Sequence, residues 1–258
     1  MRRQLLAWTM GSLALAATGA AAEEAVGSAE PAPELDYELL GEAEDNPDPW
    51  EGFNRRVFAF NESADRWVLK PVARTYHELA PSPVETGVSN FFANLGEVNN
   101  FLNNLLQGKF KGALTDLSRF VINSTLGAVG LIDVATEMGL QRNNEDFGQT
   151  LGYWGVSSGP YLVVPLLGPR TVRDGLGNVP DIYANPLTYM DHTRTRNSIA
   201  AGGAVSLRAS LLETEKLIRG DRYIFMRDAY LQRREFLVRD GEVEDDFGEE
   251  EFDDDWEW

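Results

Sequence analysis

One segment of the chain, residues 155–159, has the spacing of a catalytic serine motif. It matches the G-x-S-x-G pattern with which serine hydrolases present their nucleophile, and His192 with Asp181 or Asp191 lies downstream. That chemistry requires a core strand before the serine and a helix after it. Pro160 follows the motif directly, and no alternating pattern of strands and helices surrounds it. We therefore expect a glycine-rich turn here, with a hydrolase as the remaining alternative.

The sequence lacks the residues that metal binding, thiol chemistry and nucleotide binding require. Cysteine is absent from the 258 residues, and the two histidines, His77 and His192, have no partners at the spacing of metal ligands. The glycine-rich loops that bind phosphates are missing, and the acidic balance without a basic aromatic surface argues against a nucleic-acid partner. We therefore expect a protein that is not an enzyme and that uses no metal and no cofactor.

The N-terminus has the three-part pattern of a secretory signal peptide. Arg2 and Arg3 precede an apolar run over residues 5–17, and a triplet of small residues ends at Ala22. We expect cleavage after Ala22, so that residues 1–22 are removed from the exported chain. No later stretch is both about 20 residues long and free of charge, so a conventional transmembrane helix is not expected.

The formal net charge of -18 is concentrated at the two ends of the mature chain. Residues 23–51 hold eleven acidic residues and residues 240–258 hold twelve, without a basic residue in either segment. Between them, residues 52–239 carry 18 acidic and 21 basic residues. Like-charge runs of this kind predict a disordered linker at 23–47, one domain at 48–239 and a disordered tail from residue 240. The aromatic residues of the tail leave a short partner-binding motif as the alternative.

Apolar residues that recur at steps of three and four predict amphipathic helices through most of the domain. These helices run from Phe53 to an end at Pro71, from Val84 to an end at Gly108, from Phe110 to Ile122, from about Thr193 to Ile218 and from about Arg222 to Arg239. Residues 126–134 predict a buried or interfacial half-helix. Glycine and proline recur in residues 147–189, which predicts an irregular segment with short helices or extended pieces. The predicted fold class is mainly α, in a single domain.

The predicted helices carry large apolar faces opposite polar ones. Such faces pack on one another in a core or lie in a lipid interface, and for any one helix core packing is the favoured interpretation. Asparagines lie beside the apolar stripe of the second helix, at Asn94, Asn99, Asn100, Asn103 and Asn104. Neutral polar groups suit contact with an amphiphile that has one charged end, and a solvent-facing side with helix caps is the alternative.

Many short motifs follow one another through the domain, among them GVSNF at residues 87–91. Five others show the pattern. They are DPWEGFNR at residues 48–55, FAFN at 58–61, RFVINSTLG at 119–127, GLIDVA at 130–135 and FGQTLG at 147–152. In this order they resemble the MlaA/VacJ family of outer-membrane phospholipid-transport proteins, and the resemblance spans about residues 46–239. It implies a domain of amphipathic helices arranged as a ring, or doughnut, around a central channel and seated in the inner leaflet of the outer membrane.

The function that the resemblance implies is retrograde transport of phospholipid. Mislocalised phospholipids would leave the outer leaflet through the channel and pass to a soluble periplasmic carrier of the MlaC type, with no bond broken. The resemblance also implies association with a trimeric porin. By family position, the residues that seat the ring in the bilayer or border the lipid path are Asn54, Phe58, Phe60, Asn61, Phe91, Gly127, Gly130 and Asp133.

One feature departs from the family pattern. Family members are typically lipoproteins with a lipobox cysteine, whereas small residues precede Ala22 here and the sequence has no cysteine. Either the helical ring holds the protein on the periplasmic side of the outer membrane, since one acyl chain gives only marginal binding, or the protein is partly periplasmic. A second functional alternative is an envelope structural or interaction protein that docks on a porin without conducting lipid.

Overall fold

The structure, a computed structural model, describes residues 46–242. The expectations for the signal peptide with cleavage at Ala22, for the linker up to residue 45 and for the tail from residue 243 lie outside the described residues. Within the described range the fold is mainly helical, as the sequence predicts, with one two-stranded sheet.

The elements follow the chain in a simple order. The helices are α1 (Glu51–Ala64), α2 (Lys70–Leu79), α3 (Ser82–Leu106), α4 (Phe110–Thr125), α5 (Val134–Glu137), α6 (Phe147–Tyr153), α7 (Val172–Ala184), α8 (Thr193–Ser210) and α9 (Arg222–Val238). A π-helical turn (Asp65–Leu69) joins α1 to α2, and 3-10 turns follow α7 (Pro186–Tyr189) and α8 (Thr214–Leu217). Strands β1 (Tyr161–Val164) and β2 (Gly168–Thr171) pair antiparallel between α6 and α7, with Tyr161 opposite Thr171.

The first helical segment does not end at Pro71, as the sequence predicts, but continues to Leu79. The π-helical turn before Pro71 explains the difference. In that turn the amide of Lys70 donates to the carbonyl of Asp65, five residues back, which widens the backbone. A helix that has already left the regular ladder accommodates a residue without an amide hydrogen more easily, because the proline ring no longer meets a carbonyl in the usual position.

Helices α3 and α4 match their predicted positions and form the main helical pair of the fold. The long stripe predicted from Val84 to Gly108 becomes α3, with Pro83 in its first turn, where a missing amide hydrogen costs nothing. Gly108 lies between α3 and α4 with a φ of 76°, a left-handed conformation that suits glycine at the end of a helix. Helix α4 continues three residues past the predicted end at Ile122.

Residues 126–134 do not form the predicted half-helix. Instead the chain folds back tightly, and Ala128, Val129 and Gly130 all have positive φ values of 51°, 61° and 89°. The amide of Ile132 donates to the carbonyl of Gly127 at 2.9 Å, and a Cβ on Gly127 would lie 2.2 Å from the Ile132 oxygen. A helix is excluded because this reversal uses the backbone groups that a helix would need.

The segment predicted to be irregular, residues 147–189, does contain short helices and extended pieces, and α7 within it is a regular helix of 13 residues. The predicted helix to Ile218 ends earlier, at Ser210. A turn after α8 brings Glu215 back to Arg208 and Lys70, which fixes the chain in a course that a continued helix would not allow. The last predicted helix is confirmed as α9.

The compact apolar core of the described residues is small and largely aromatic. Tyr161 and Val163 of β1 pack with Tyr223 and Tyr230 of α9, and Phe58 of α1 lies against them. The rings meet edge to face, with centroids 5.5 to 6.3 Å apart. Among residues 46–242, no helix combines the length and the apolar character needed to cross a bilayer.

Candidate membrane-facing surface and buried polar network

Apolar and polar residues are distributed in the reverse of the usual order for a water-soluble domain. Within residues 46–242, buried positions comprise 19 polar or charged residues and 11 apolar ones, and five of the apolar residues are alanines of the helices. At the same time, 33 large apolar residues are exposed. Extensive apolar exposure usually marks contact with another protein or with a membrane, because removal of apolar groups from water lowers the free energy.

Helix α4 shows the reversal most directly. Its apolar face, with Phe110, Leu114, Leu117 and Val121, is exposed, and Phe110 is 70% accessible. Its opposite face is buried and carries Ala113, Asp116, Arg119 and Asn123. The C-terminal part of the α3 stripe behaves in the same way, since Leu102, Leu105 and Leu106 are exposed, whereas its middle part is half-buried. The expectation that such stripes pack into a core is therefore wrong for α4 and for the C-terminal end of α3.

A group of charged side chains lies at the centre of the buried face. Arg119 is fully buried and donates to Glu97, also fully buried, at 2.7 Å, and to both carboxylate oxygens of Asp133 at 3.0 and 3.1 Å. Arg142 approaches the same two acids at 3.3 and 3.2 Å. The hydroxyl of Thr136 accepts from Arg119 at 3.0 Å. Two cations therefore face two anions in a buried site. Loss of one of these charges would leave an opposite charge buried without full compensation, which costs free energy.

The pKa of Asp133 reflects this arrangement. Burial by itself opposes ionisation, but hydrogen bonds from Thr136 and Asn123 and the charges of Arg119 and Arg142 outweigh it. The pKa of Asp133 is therefore lowered below its ordinary value. The carboxylate remains ionised and holds the end of the 126–132 reversal against α4.

The asparagines of α3 form the rest of the network, and they are neither a solvent face nor helix caps. Asn100 donates to the carbonyl of Asn143 at 2.9 Å, and its oxygen accepts from the amide of Glu145 at 3.0 Å. Asn104 donates to Asp116 at 2.7 Å, and Asn143 donates to the same carboxyl group at 2.7 Å. Burial without a contacting cation raises the pKa of Asp116 to about 7, despite these two hydrogen bonds.

A second chain of polar contacts connects α3 to α6 and α7. Asn103 donates to Asp181 at 3.2 Å and accepts from Thr150 at 2.8 Å. Gln107 donates to Thr150 and to Glu145, at 3.1 and 2.9 Å. Burial, with the nearby charge of Asp146, raises the pKa of Asp181 to about 7. Amides and hydroxyls therefore satisfy most of this interior, which is the arrangement a buried polar region requires.

The four residues of α1 that were predicted to seat the protein in the bilayer occupy both buried and exposed positions. Phe58 packs edge to face on Tyr223, with centroids 5.5 Å apart, whereas Phe60 is exposed. Asn54 is fully buried, and Asn61 is partly buried. The amides of both asparagines contact the β1–β2 hairpin. The role of these four residues in seating the protein stays a prediction.

The other residues predicted to lie near a lipid path are placed on or next to α3. Gly130 faces Asn94, and a Cβ added there would lie 2.7 Å from the Asn94 Cβ. Gly127 closes the reversal described above, and Asp133 belongs to the charged group. Phe91 is partly buried and packs edge to face on Phe92, with centroids 5.2 Å apart. Their contact with lipid stays a prediction.

The serine motif is a turn rather than a nucleophile elbow. Ser157 lies in an exposed stretch after α6, with neither a strand directly before it nor a helix directly after it. Asp181, one of its possible partners, is bound by the amides of Phe147 and Asn103. His77 contacts Glu85 at 2.9 Å, and the described residues contain no group of three or more acidic, histidine or cysteine side chains that would hold a metal.

Glu97, Arg119 and Arg142, the charged centre of the network, were not among the residues predicted to form the site. A signal for two of them was present in the helical spacing. Glu97 lies three residues after Asn94 and three before Asn100, so that it shares their face, and Arg119 lies between Asp116 and Asn123 at steps of three and four. The position of Arg142 in a segment without regular structure gave no such signal.

The sequence model described as MlaA lipoprotein matches residues 46–237, almost the whole of the described range. The chain belongs to the MlaA lipoprotein family. The protein named "Intermembrane phospholipid transport system lipoprotein MlaA" of Escherichia coli K12 is 37% identical over 202 residues, which cover 76% of this chain and 80% of that protein. The protein of the same name from Haemophilus influenzae is 36% identical over 204 residues, covering 76% of this chain and 81% of that one.

The fold is shared with a solved structure of the same family. That structure, described as "Structural basis for maintenance of bacterial outer membrane lipid asymmetry", superposes with a TM-score of 0.66 at 37% sequence identity. The match covers 74% of this chain and 98% of the solved chain. The family expected from the sequence motifs and its mainly helical fold are thereby confirmed.

Proposed function

We propose that this MlaA-family protein is the outer-membrane component of an intermembrane phospholipid transport system and maintains lipid asymmetry. In this proposal it takes mislocalised phospholipids from the outer leaflet and delivers them to a periplasmic carrier of the MlaC type. The observation that carries the proposal is the reversed distribution of residues in α3 and α4, with apolar faces outside and a hydrogen-bonded polar face inside. Because the chain belongs to the MlaA lipoprotein family, we take lipid to be what the exposed apolar faces contact.

The reversal suits a protein that works between acyl chains and polar headgroups. Exposed leucine, valine and phenylalanine side chains lose no free energy when they meet acyl chains, whereas in water each costs about 1.5–3 kcal/mol relative to burial. Buried asparagine, glutamine and threonine side chains pair with one another and with the backbone, so the polar faces of the helices meet inside without the cost of unpaired polar groups. The ring around a central channel is part of the proposal.

No bond is broken in this proposal, and the protein is not an enzyme. Direction comes from the difference in lipid packing between the two leaflets and from the carrier that accepts the lipid. The location is the periplasmic side of the outer membrane, where the exposed apolar faces of α3 and α4 seat the protein in the inner leaflet. A trimeric porin is the proposed membrane partner.

The alternative is a structural or interaction protein that docks on a porin without conducting lipid. The exposed apolar surface also fits this alternative, since protein interfaces and lipid interfaces both cover such patches. Deletion of the gene separates the two. Under the transport proposal, outer-leaflet phospholipid rises in the deletion strain, whereas under the alternative it stays at the wild-type level.

A pair of variants on α4 tests the membrane-seating part of the proposal. Leu114→Glu places a charge on the exposed apolar face, while Lys111→Glu changes an exposed charge on the same helix. We expect Leu114→Glu to leave the washed outer-membrane fraction and to fail to restore low outer-leaflet phospholipid, and Lys111→Glu to behave as the wild type. Full complementation by Leu114→Glu, with normal membrane retention, would contradict the seating.

A further inference from the structure

The β1–β2 hairpin ends in a tip without charged or polar side chains. Residues 162–168 read Leu-Val-Val-Pro-Leu-Leu-Gly, and Leu166 is 74% exposed. Leu166 also has a φ of 62°, a left-handed conformation that is uncommon for residues other than glycine and that carries a conformational cost. The backbone therefore holds the Leu166 side chain exposed at a conformational cost, instead of burying it away from water.

The side chains of two asparagines on α1 hold this hairpin by its backbone. Asn54 donates to the carbonyl of Tyr161 at 3.0 Å and accepts from the amide of Val163 at 2.9 Å. Asn61, seven residues and two helical turns later, repeats the pattern at the tip. It donates to the carbonyl of Val164 at 3.0 Å and accepts from the amide of Leu166 at 2.7 Å.

These contacts lower the cost of placing the backbone of the hairpin in an apolar environment. The edge of β1 that does not face β2 would otherwise present unpaired backbone groups, which are costly in hydrocarbon because no water pairs with them there. Here Asn54 pairs two backbone groups of β1, and Asn61 pairs two at the tip, the carbonyl of Val164 and the amide of Leu166. The amide of Tyr161 donates to the carbonyl of Pro47 at 2.7 Å. In water, the hairpin would not require these hydrogen bonds, because water molecules pair with exposed backbone groups.

We propose that the tip of this hairpin, residues 164–168, is a lipid-contacting element, and that Asn61 is the residue that positions it. The proposal rests on the membrane location proposed above and adds a contact away from the exposed faces of α3 and α4. The occupant is the acyl-chain region of a bilayer, because the tip lacks charges and polar side chains that would recognise a headgroup or a polar peptide.

The absence of cysteine from the sequence allows a direct measurement. Leu166→Cys carries a nitroxide spin label, and the protein is placed in vesicles of phosphatidylethanolamine and phosphatidylglycerol. Access of oxygen, which enters lipid, is compared with access of a water-soluble nickel complex. Leu114→Cys on the apolar face of α4 serves as the lipid reference, and Glu213→Cys at an exposed charged position serves as the water reference.

We expect the label at 166 to match the label at 114, with high oxygen access and low nickel access. High nickel access at 166 together with lipid-like values at 114 overturns the hairpin proposal and leaves the membrane location standing. Water-like values at both positions overturn the membrane location, and the hairpin proposal fails with it. Low access for both reagents at 166 means that protein covers the tip, which also overturns a lipid contact.

The positioning role of Asn61 has its own readout in the labelled protein. Asn61→Ala removes both contacts with the tip, whereas Ser63→Ala removes only a local bond to the carbonyl of Ala59 on the same helix. We expect Asn61→Ala to increase the mobility of the label at 166 and to raise its nickel access, with no change at 114. Ser63→Ala leaves both labels unchanged. An unaltered spectrum at 166 in Asn61→Ala overturns the positioning role.

Discussion

Replacement of Arg119 by methionine tests whether the buried charged network holds α3, α4 and the 126–132 reversal together. Arg119 is fully buried, and methionine fills much of its volume without a charge. The substitution removes the hydrogen bonds from the guanidinium to Glu97, Asp133 and Thr136. Glu97 then keeps one cationic neighbour, Arg142, at 3.3 Å.

The expected loss follows from the charge that is left behind. Removal of one partner from a buried ion pair costs about 3–5 kcal/mol, because the remaining charge is desolvated without compensation. Arg142 screens part of this charge, so we expect Arg119→Met to lower the free energy of unfolding by about 3 kcal/mol. This is a large share of the roughly 5–15 kcal/mol that holds an ordinary domain together.

The assay is urea unfolding of the detergent-solubilised protein followed by circular dichroism, with two further variants. Lys111→Met, an exposed position of the same helix, is expected to change the unfolding free energy by less than about 0.5 kcal/mol. The double variant Glu97→Gln with Arg119→Met is expected to cost less than the sum of its two single changes, by roughly 1–3 kcal/mol. A cost below about 1 kcal/mol for Arg119→Met, or strict additivity in the double variant, would refute the reasoning.

Three further predictions concern single positions. Gly127→Ala places a Cβ against a backbone oxygen and is expected to cost about 1–3 kcal/mol by urea unfolding, whereas Gly52→Ala, a helical position with open space, is expected to stabilise by about 0.5 kcal/mol. Asp116 has a pKa raised to about 7 in the folded state, so its ionisation removes stability as pH rises from about 4 to 7. The stability of Asp116→Asn relative to the wild type should therefore increase over that window, by up to roughly 4 kcal/mol, and a pH-independent difference would argue against the raised pKa. Tyr230→Phe removes a hydrogen bond of 2.5 Å to the buried Asp174 and should lower the thermal midpoint, at a cost of about 1.5–3 kcal/mol; an unchanged midpoint would exclude that bond as a support for α9.

The spacing of apolar residues was sufficient to predict which parts of the chain are helical. The positions of α3, α4 and α9 agree with the sequence prediction to within a few residues, because steps of three and four are a local property that any helix must have. The family could also be recognised from the sequence, because ordered motifs such as residues 48–55 and 119–127 are identified without knowledge of the fold.

Local signals failed where the backbone departs from regular structure. Pro71 predicts a helix end, but the π-helical turn that accommodates it depends on how α1 and α2 are held by the rest of the molecule, including the pair between Asp65 and Arg208. The reversal at 126–132 likewise depends on Asp133, which is held by Arg119 from another element. Neither contact is visible in the spacing of nearby residues.

The order of residues is enough to show that α3 and α4 have two unlike faces, but which face lies inward follows only from the packing of the folded chain. Hydrophobic periodicity is the same for a helix packed in a core and for a helix exposed to lipid, so the pattern carries no direction. The direction is set by whether the polar face finds partners. Glu97, Arg119 and Asp133 are separated by 22 and 14 residues along the chain, and only the fold brings them within hydrogen-bonding distance. Once they are paired, the polar face is stable inside, and the apolar face remains outside.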